Sequence, residues 1–234
     1  VAIACSVAGI IIGTVTLTGN GLELATGLLN LSGGIPIIAL FLTMIACIIL
    51  GMGVPITANY VIMATITAPI VVRLGIPLMA AHMFVFYFGI VADITPPVAL
   101  AAYAGAASAK SNTLKTAITA TRLAITAFII PYIFALSPNL LLTPAALSNP
   151  VMLLETVFIV VTSFVGMLGI SAGMEGFMFK LMPFWQRIAA IIGGLLLIYP
   201  GWVTDLIGFG LVGAVFAHQY FTGKAGGTGP VTVS

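Results

Sequence analysis

The chain has 234 residues, of which 61% are hydrophobic and only 5% charged. A soluble domain carries roughly 25% charged residues, so seven basic and five acidic side chains cannot solvate a globule of this length, and the solvent is read as the lipid bilayer. The net charge of +2 leaves no basic footprint for nucleic acid. Cys5 and Cys47 both lie inside apolar runs and fit neither a disulfide framework nor a metal motif.

A membrane span needs about 20 predominantly apolar residues. The first run, Val1–Leu17, is slightly short and ends in TGNG at Thr18–Gly21. It has no basic leader region and no small-residue cleavage site, so it does not read as a signal peptide. The absence of an initiator Met leads us to expect the C-terminal part of a longer protein. Leu22–Leu31 is moderately apolar, and Ser32–Gly34 forms a loop. Ile35–Leu50 is a strong helix signal that ends in GMGVP at Gly51–Pro55. A second apolar run, Ile56–Val72, closes at Arg73 and LGIP.

Leu78–Val91 and Val98–Ala107 flank the break ADITPP, and each is too short to cross a bilayer comfortably alone. Two short arms joined by a proline turn predict a re-entrant helical hairpin, and a single kinked span is the competing reading. Thr116–Leu136 predicts a span kinked at Pro131. A composition shift at Ser137–Pro150, with three prolines and two asparagines, predicts a module boundary. Beyond it come Val151–Ile170 and then Ile188–Phe216, which YPG at Tyr199–Gly201 could split. Trp185 and Trp202 read as interfacial anchors, and the tail after Phe221 as flexible. The fold class expected is an all-α integral membrane protein, a polytopic helical bundle with a re-entrant hairpin and broken helices.

The breaks carry the chemistry. In lipid, a broken helix leaves backbone groups that only protein or a water-filled cavity can satisfy. Half-helix ends attract anions at N-termini and offer carbonyls to cations at C-termini, which is how transporters build ion sites at mid-membrane depth. Three breaks qualify: TGNG with Asn20, GMGVPITAN with Thr57 and Asn59, and ADITPP with Asp93, Thr95, Pro96 and Pro97. Plain loops, close helix packing, or a cap or ion-pair role for Asp93 with Arg122 are the bland alternatives. His82 reads as a helix-interface histidine and Arg73 as a snorkelling cation. No Ser/His pairing, HExxH or paired-Asp motif appears, so no enzyme is expected. No GxxxxGK[ST] cradle for phosphate is present either.

The runs LGMGVPITANYVIMATITAPIVVRLGIP and AAHMFVFYFGIVADITPPVALAAYAGAA resemble the large membrane subunit of tripartite ATP-independent periplasmic (TRAP) transporters. The likeness is to the fused-permease branch that works with TAXI-type receptors. It covers about residues 1–147, with 148–234 similar to the extra helices and tail that some fused permeases carry. The resemblance implies an elevator-type secondary transporter in the bacterial inner membrane. Its solute would be a small organic acid, delivered by a periplasmic TAXI-type solute-binding protein. Residues 1–147 would be the second of two inverted repeats, the N-terminal half and small-subunit region lying outside this chain.

By resemblance, Gly51, Met52, Gly53, Val54, Pro55 and Thr57 would face a coupling cation, with Thr95, Pro96 and Pro97 lining the same cavity. Sodium would be held at Gly51, Val54, Thr57 and Thr95, with Asn59, Asp93, Pro97 and Asn20 serving substrate or coupling. One departure stands out: the position of Pro55 usually carries an acid in the dicarboxylate and sialate branch. That opens proton coupling through Asp93, since desolvation of a carboxylate among apolar residues favours its protonated form. A passive channel or a structural membrane fragment is the alternative function. Arg73 and Arg122 are the arginines near the core that could meet a substrate carboxylate.

Overall fold

The computed structural model describes residues 2–141 and 149–224. Much of the predicted proline-rich boundary (142–148) and most of the predicted tail (225–234) lie outside the described residues. The chain divides into two compact units, Val1–Leu147 and Ser148–Ser234, and the described residues are helical with no strand. Two helical stretches, Ile56–Arg73 and Pro150–Glu175, are long and apolar enough to cross a membrane. A bent pair, Thr113–Leu123 with Ile125–Leu136, makes a third if read as one span.

The first unit holds α1 (Ala2–Thr18), α2 (Asn20–Leu31), α3 (Pro36–Gly51), α4 (Ile56–Ile66), α5 (Ala68–Arg73) and α6 (Leu78–Val91). A 3-10 turn (Ala92–Ile94), α7 (Leu100–Ser108), α8 (Thr113–Leu123), α9 (Ile125–Leu136) and a second 3-10 turn (Pro138–Leu141) follow. Its core gathers on α6. Phe84, Val85 and Phe88 are fully buried against Leu40 and Cys47 of α3, Met63 of α4 and Val71 of α5. Edge-to-face contacts of Phe84 and Phe88 with Tyr132 of α9 extend this core at centroid distances of 5.5 and 5.9 Å, a favoured geometry for aromatic quadrupoles.

The interruptions differ in how their flanking helices pack. The arms α6 and α7 are held by different neighbours: α6 packs on α9, α3 and α4, while α7 packs on α8. The eight-residue link between them, with Pro96 and Pro97 unable to continue either helix, carries the 3-10 turn that both arms contact. By contrast α3 and α4, joined by only Met52–Pro55, pack on each other. The bend in the 113–136 segment, 41°, falls where α8 meets α9 at Ala124 and not at Pro131. Thr116, Thr119 and Thr121 each donate to the carbonyl four residues back, a pattern that bends helices.

The second unit is α10 (Pro150–Glu175), α11 (Phe184–Ile198) and α12 (Trp202–Lys224), each pair in contact. YPG does split the last apolar run, because Pro200 and Gly201 stop α11 before α12 begins. Glycines set the spacing: a methyl group on Gly194 would lie 2.5 Å from the Gly166 carbonyl oxygen, and one on Gly208 would lie 2.8 Å from that of Gly193. Small residues let helix backbones approach this closely in membranes. Trp185 and Trp202 are largely exposed, at the first turns of the successive helices α11 and α12.

Candidate ion and substrate site

The GMGVP break begins where α3 ends. Val54 N–H donates to the Gly51 carbonyl at 3.4 Å, and Gly53 takes the left-handed backbone, φ 74°, that closes the turn. Pro55 then caps α4 with extended backbone, and its carbonyl accepts from Asn59 N–H at 2.9 Å. Gly51 is buried, Met52 and Val54 are half-buried, and Gly53, Pro55 and Thr57 are exposed.

The ADITPP break begins with the 3-10 turn. Thr95 Oγ1 donates to the Val91 carbonyl at 2.7 Å, and Tyr103 Oη donates to the Pro97 carbonyl at 2.5 Å. Thr121 of α8 donates to the Ile94 carbonyl at 2.9 Å. These side chains cover carbonyls that the break would leave bare. Asp93, Thr95 and Pro96 are half-buried and Pro97 is exposed. Ala99, at φ 35°, holds a left-handed backbone that a residue with a Cβ rarely adopts.

The two breaks meet. A methyl group on Gly51 would lie 2.9 Å from Ala92 Cβ, and one on Gly53 would lie 3.7 Å from Val98 Cγ1. Asn59 fills the junction. It is 1% exposed, and its Nδ2 donates to the Gly89 carbonyl of α6 at 3.0 Å. Its Oδ1 is buried with no hydrogen-bond partner in the structure. A buried amide oxygen without a donor is expensive, so this atom points to a cation, a water or a proton donor.

Of the residues singled out from the sequence, Gly51, Gly53 and Asn59 reach this junction, and Asp93 and Pro97 sit one residue from its contacts at Ala92 and Val98. Asn20 is exposed at the first residue of α2. His82 is a helix-interface histidine, with Tyr60 Oη 3.0 Å from its Nδ1. Arg73 and Arg122 are exposed at the last turns of α5 and α8. Gly89, Ala92, Tyr103 and Thr121 belong to the junction and its bracing, and the sequence reading missed them. The spacing of Gly89 and Ala92, three apart on one helical face, was the available signal.

An all-α bundle of apolar helices with two interrupted helices meeting at a buried polar atom defines an integral membrane protein of the transporter kind. Residues 1–149 match the family described as the tripartite ATP-independent periplasmic transporter, DctM component, and the chain belongs to that family. It is therefore a membrane component of a TRAP secondary transporter, not an enzyme. Membership implies a periplasmic solute-binding partner and a small membrane subunit. No curated protein and no solved structure matches the chain.

Proposed function

We propose that this chain is the cation-coupled part of a permease that imports a small organic anion, handed over by a periplasmic solute receptor of the TAXI type. The membrane is the bacterial inner membrane, crossed several times. The observation that carries the coupling step is the buried, unpartnered Oδ1 of Asn59, the side chain whose Nδ2 lies against Gly51 at the junction of the two breaks. An amide oxygen can coordinate a hard cation through its lone pair but does not carry a proton at ordinary pH. Sodium is accordingly the favoured coupling ion, even though Pro55 stands where relatives of the dicarboxylate branch have an acid.

The residues divide the work. Asn59 Oδ1 and the carbonyls of Gly51–Val54 would supply neutral oxygens, with Thr57 and Thr95 hydroxyls within the same two breaks. The substrate anion would be met by polar groups outside the junction, with the exposed Asn20, Arg73 and Arg122 as candidates. A bound cation would order the junction, so that the anion meets an already ordered site and binds better, which is positive coupling. The helices of residues 1–147 would move as the carrier, and 148–234 would serve assembly.

The test is uptake of radiolabelled C4 and C5 dicarboxylates into proteoliposomes that hold the complete permease and its receptor. A sodium gradient is expected to drive uptake, and Asn59→Leu to abolish the sodium dependence. Uptake driven only by a proton gradient and lost in Asp93→Asn would move the coupling to Asp93. Flux without either gradient would make the protein a passive channel.

A further inference from the structure

The second unit holds a relay of buried polar side chains that runs between its helices. Gln186 at the start of α11 and Gln219 near the end of α12 are both fully buried. Lys180 N–H, in the loop between α10 and α11, donates to Gln219 Oε1 at 3.3 Å. Gln219 Nε2 donates to Gln186 Oε1. Gln186 Nε2 lies 2.8 Å from Nδ1 of His218.

The direction of this relay is fixed at one end. A backbone N–H can only donate, so Gln219 must turn its oxygen to Lys180 and its NH2 to Gln186. Gln186 then receives on its oxygen and presents its own NH2 to His218. Nδ1 of His218 must accept, which makes the imidazole neutral with its proton on Nε2.

Charging His218 puts an N–H on Nδ1 against the NH2 of Gln186. Flipping the Gln186 amide moves the donor–donor clash to Gln219, and flipping Gln219 moves it to Lys180, whose N–H cannot be reversed. One bond must be lost, and the contact to Lys180 is the longest of the three. Water cannot replace it cheaply at two buried amides.

The loop is the part free to respond. It is a short turn with one bridge between Phe177 and Leu181, closed by Met182 N–H on the Gly176 carbonyl at 2.8 Å. Its start is held separately. Arg187 donates from Nε and Nη2 to the Gly173 and Met174 carbonyls, at 2.9 and 3.0 Å, where α10 ends. His218 itself is exposed, with the Trp185 ring edge-on at a 5.9 Å centroid distance. The charged groups on the elements around this end are Glu175 of α10, Lys180 of the loop and Arg187 of α11.

We propose that His218, Gln186 and Gln219 form a proton-responsive latch on residues 176–183. Neutral His218 holds the loop through Lys180 N–H, and charged His218 releases it. The site lies beyond the residues matched by the transporter family, and its operation does not depend on the coupling ion proposed above.

The experiment is amide exchange on the full chain in lipid nanodiscs between pH 8 and pH 5, corrected for intrinsic exchange. Trp185 fluorescence in a Trp202→Phe background reports the charge on His218. Protection at Lys180 is expected to fall about fivefold or more with acidification, the value of one neutral hydrogen bond. His218→Asn places an acceptor near the Nδ1 position without a titrating ring, and its protection should stay flat. An equal fall in His218→Asn overturns the latch, as does a flat wild type, whether or not Trp185 reports that His218 has charged.

Discussion

Asn59 Nδ2 donates to the Gly89 carbonyl oxygen at 3.0 Å, and through that bond α4 is tied to the last turn of α6 beside both helix breaks. The other half of the same amide, Oδ1, is buried without a partner. One side chain thus supplies both a structural bond and a waiting acceptor. Asn59→Ala removes both and leaves the Gly89 carbonyl unpaired. We expect a loss of about 1–3 kcal/mol, read as a lower unfolding midpoint in detergent. Asn59→Asp should keep the volume but bury a charge, and added sodium should raise its midpoint more than that of the wild type. Equal sodium responses in the two proteins would detach the cation from this atom.

Gly51 is the tightest point of the junction. A methyl group there would meet Asn59 Nδ2 at 2.8 Å, Ala92 Cβ at 2.9 Å and Met63 Cε at 3.0 Å. The methionine end can swing away, but Ala92 Cβ is fixed to a 3-10 turn. Gly51→Ala should therefore cost about 1–3 kcal/mol by overpacking. Gly105→Ala is the control, since nothing lies within 4 Å of the added methyl in α7. It should be neutral or stabilise by up to about 1 kcal/mol through helix propensity. Thermal unfolding of the two variants separates crowding from propensity.

The contrast between these glycines also shows what the sequence could and could not reveal. Apolar runs, their lengths and the glycine and proline punctuation were enough to read an all-α membrane bundle and to pick GMGVP and ADITPP as interruptions. They could not say that Gly51 meets Ala92, because that contact joins segments some forty residues apart and depends on how α3 packs against the turn. Which neighbours brace the two arms α6 and α7 was hidden for the same reason. Arm length and prolines mark a break, while the neighbour each arm chooses is decided by packing, and α7 finds α8. Pro131 points to a kink on its chemistry alone, whereas the bend lies at Ala124, after a helix with three back-bonding threonines. Gln186 and Gln219 passed unnoticed because single polar residues in an apolar run carry no period.

Thr121 braces the ADITPP turn from α8 through one hydroxyl that reaches both the Ile94 carbonyl at 2.9 Å and its own helix at Ala117, 3.0 Å. Thr121→Val keeps the shape and removes the donor. The Ile94 carbonyl then loses its α8 partner, at a cost of about 1 kcal/mol. Amide exchange across residues 92–99 should speed up while the α3–α6 core stays protected. Uniform loosening of the whole unit would mean that the threonine serves global stability instead of the turn.

Gly194 and Gly166 face each other across α11 and α10, and a methyl group on Gly194 would lie 2.5 Å from the Gly166 carbonyl oxygen and 2.6 Å from Ile170 Cγ1. Backbone cannot rotate out of the way as a side-chain end can, so the helices themselves must separate. Gly194→Ala is expected to destabilise the second unit by about 2–3 kcal/mol, the upper part of the overpacking range. Gly210→Ala on α12, with nothing within 4 Å of the new methyl, should change little. Protease sensitivity of the largely exposed 176–183 and 199–201 links gives the readout, because cleavage needs the local unfolding that parting of α10 and α11 allows. If Gly194→Ala is as resistant as Gly210→Ala, close backbone approach is not what holds this unit together.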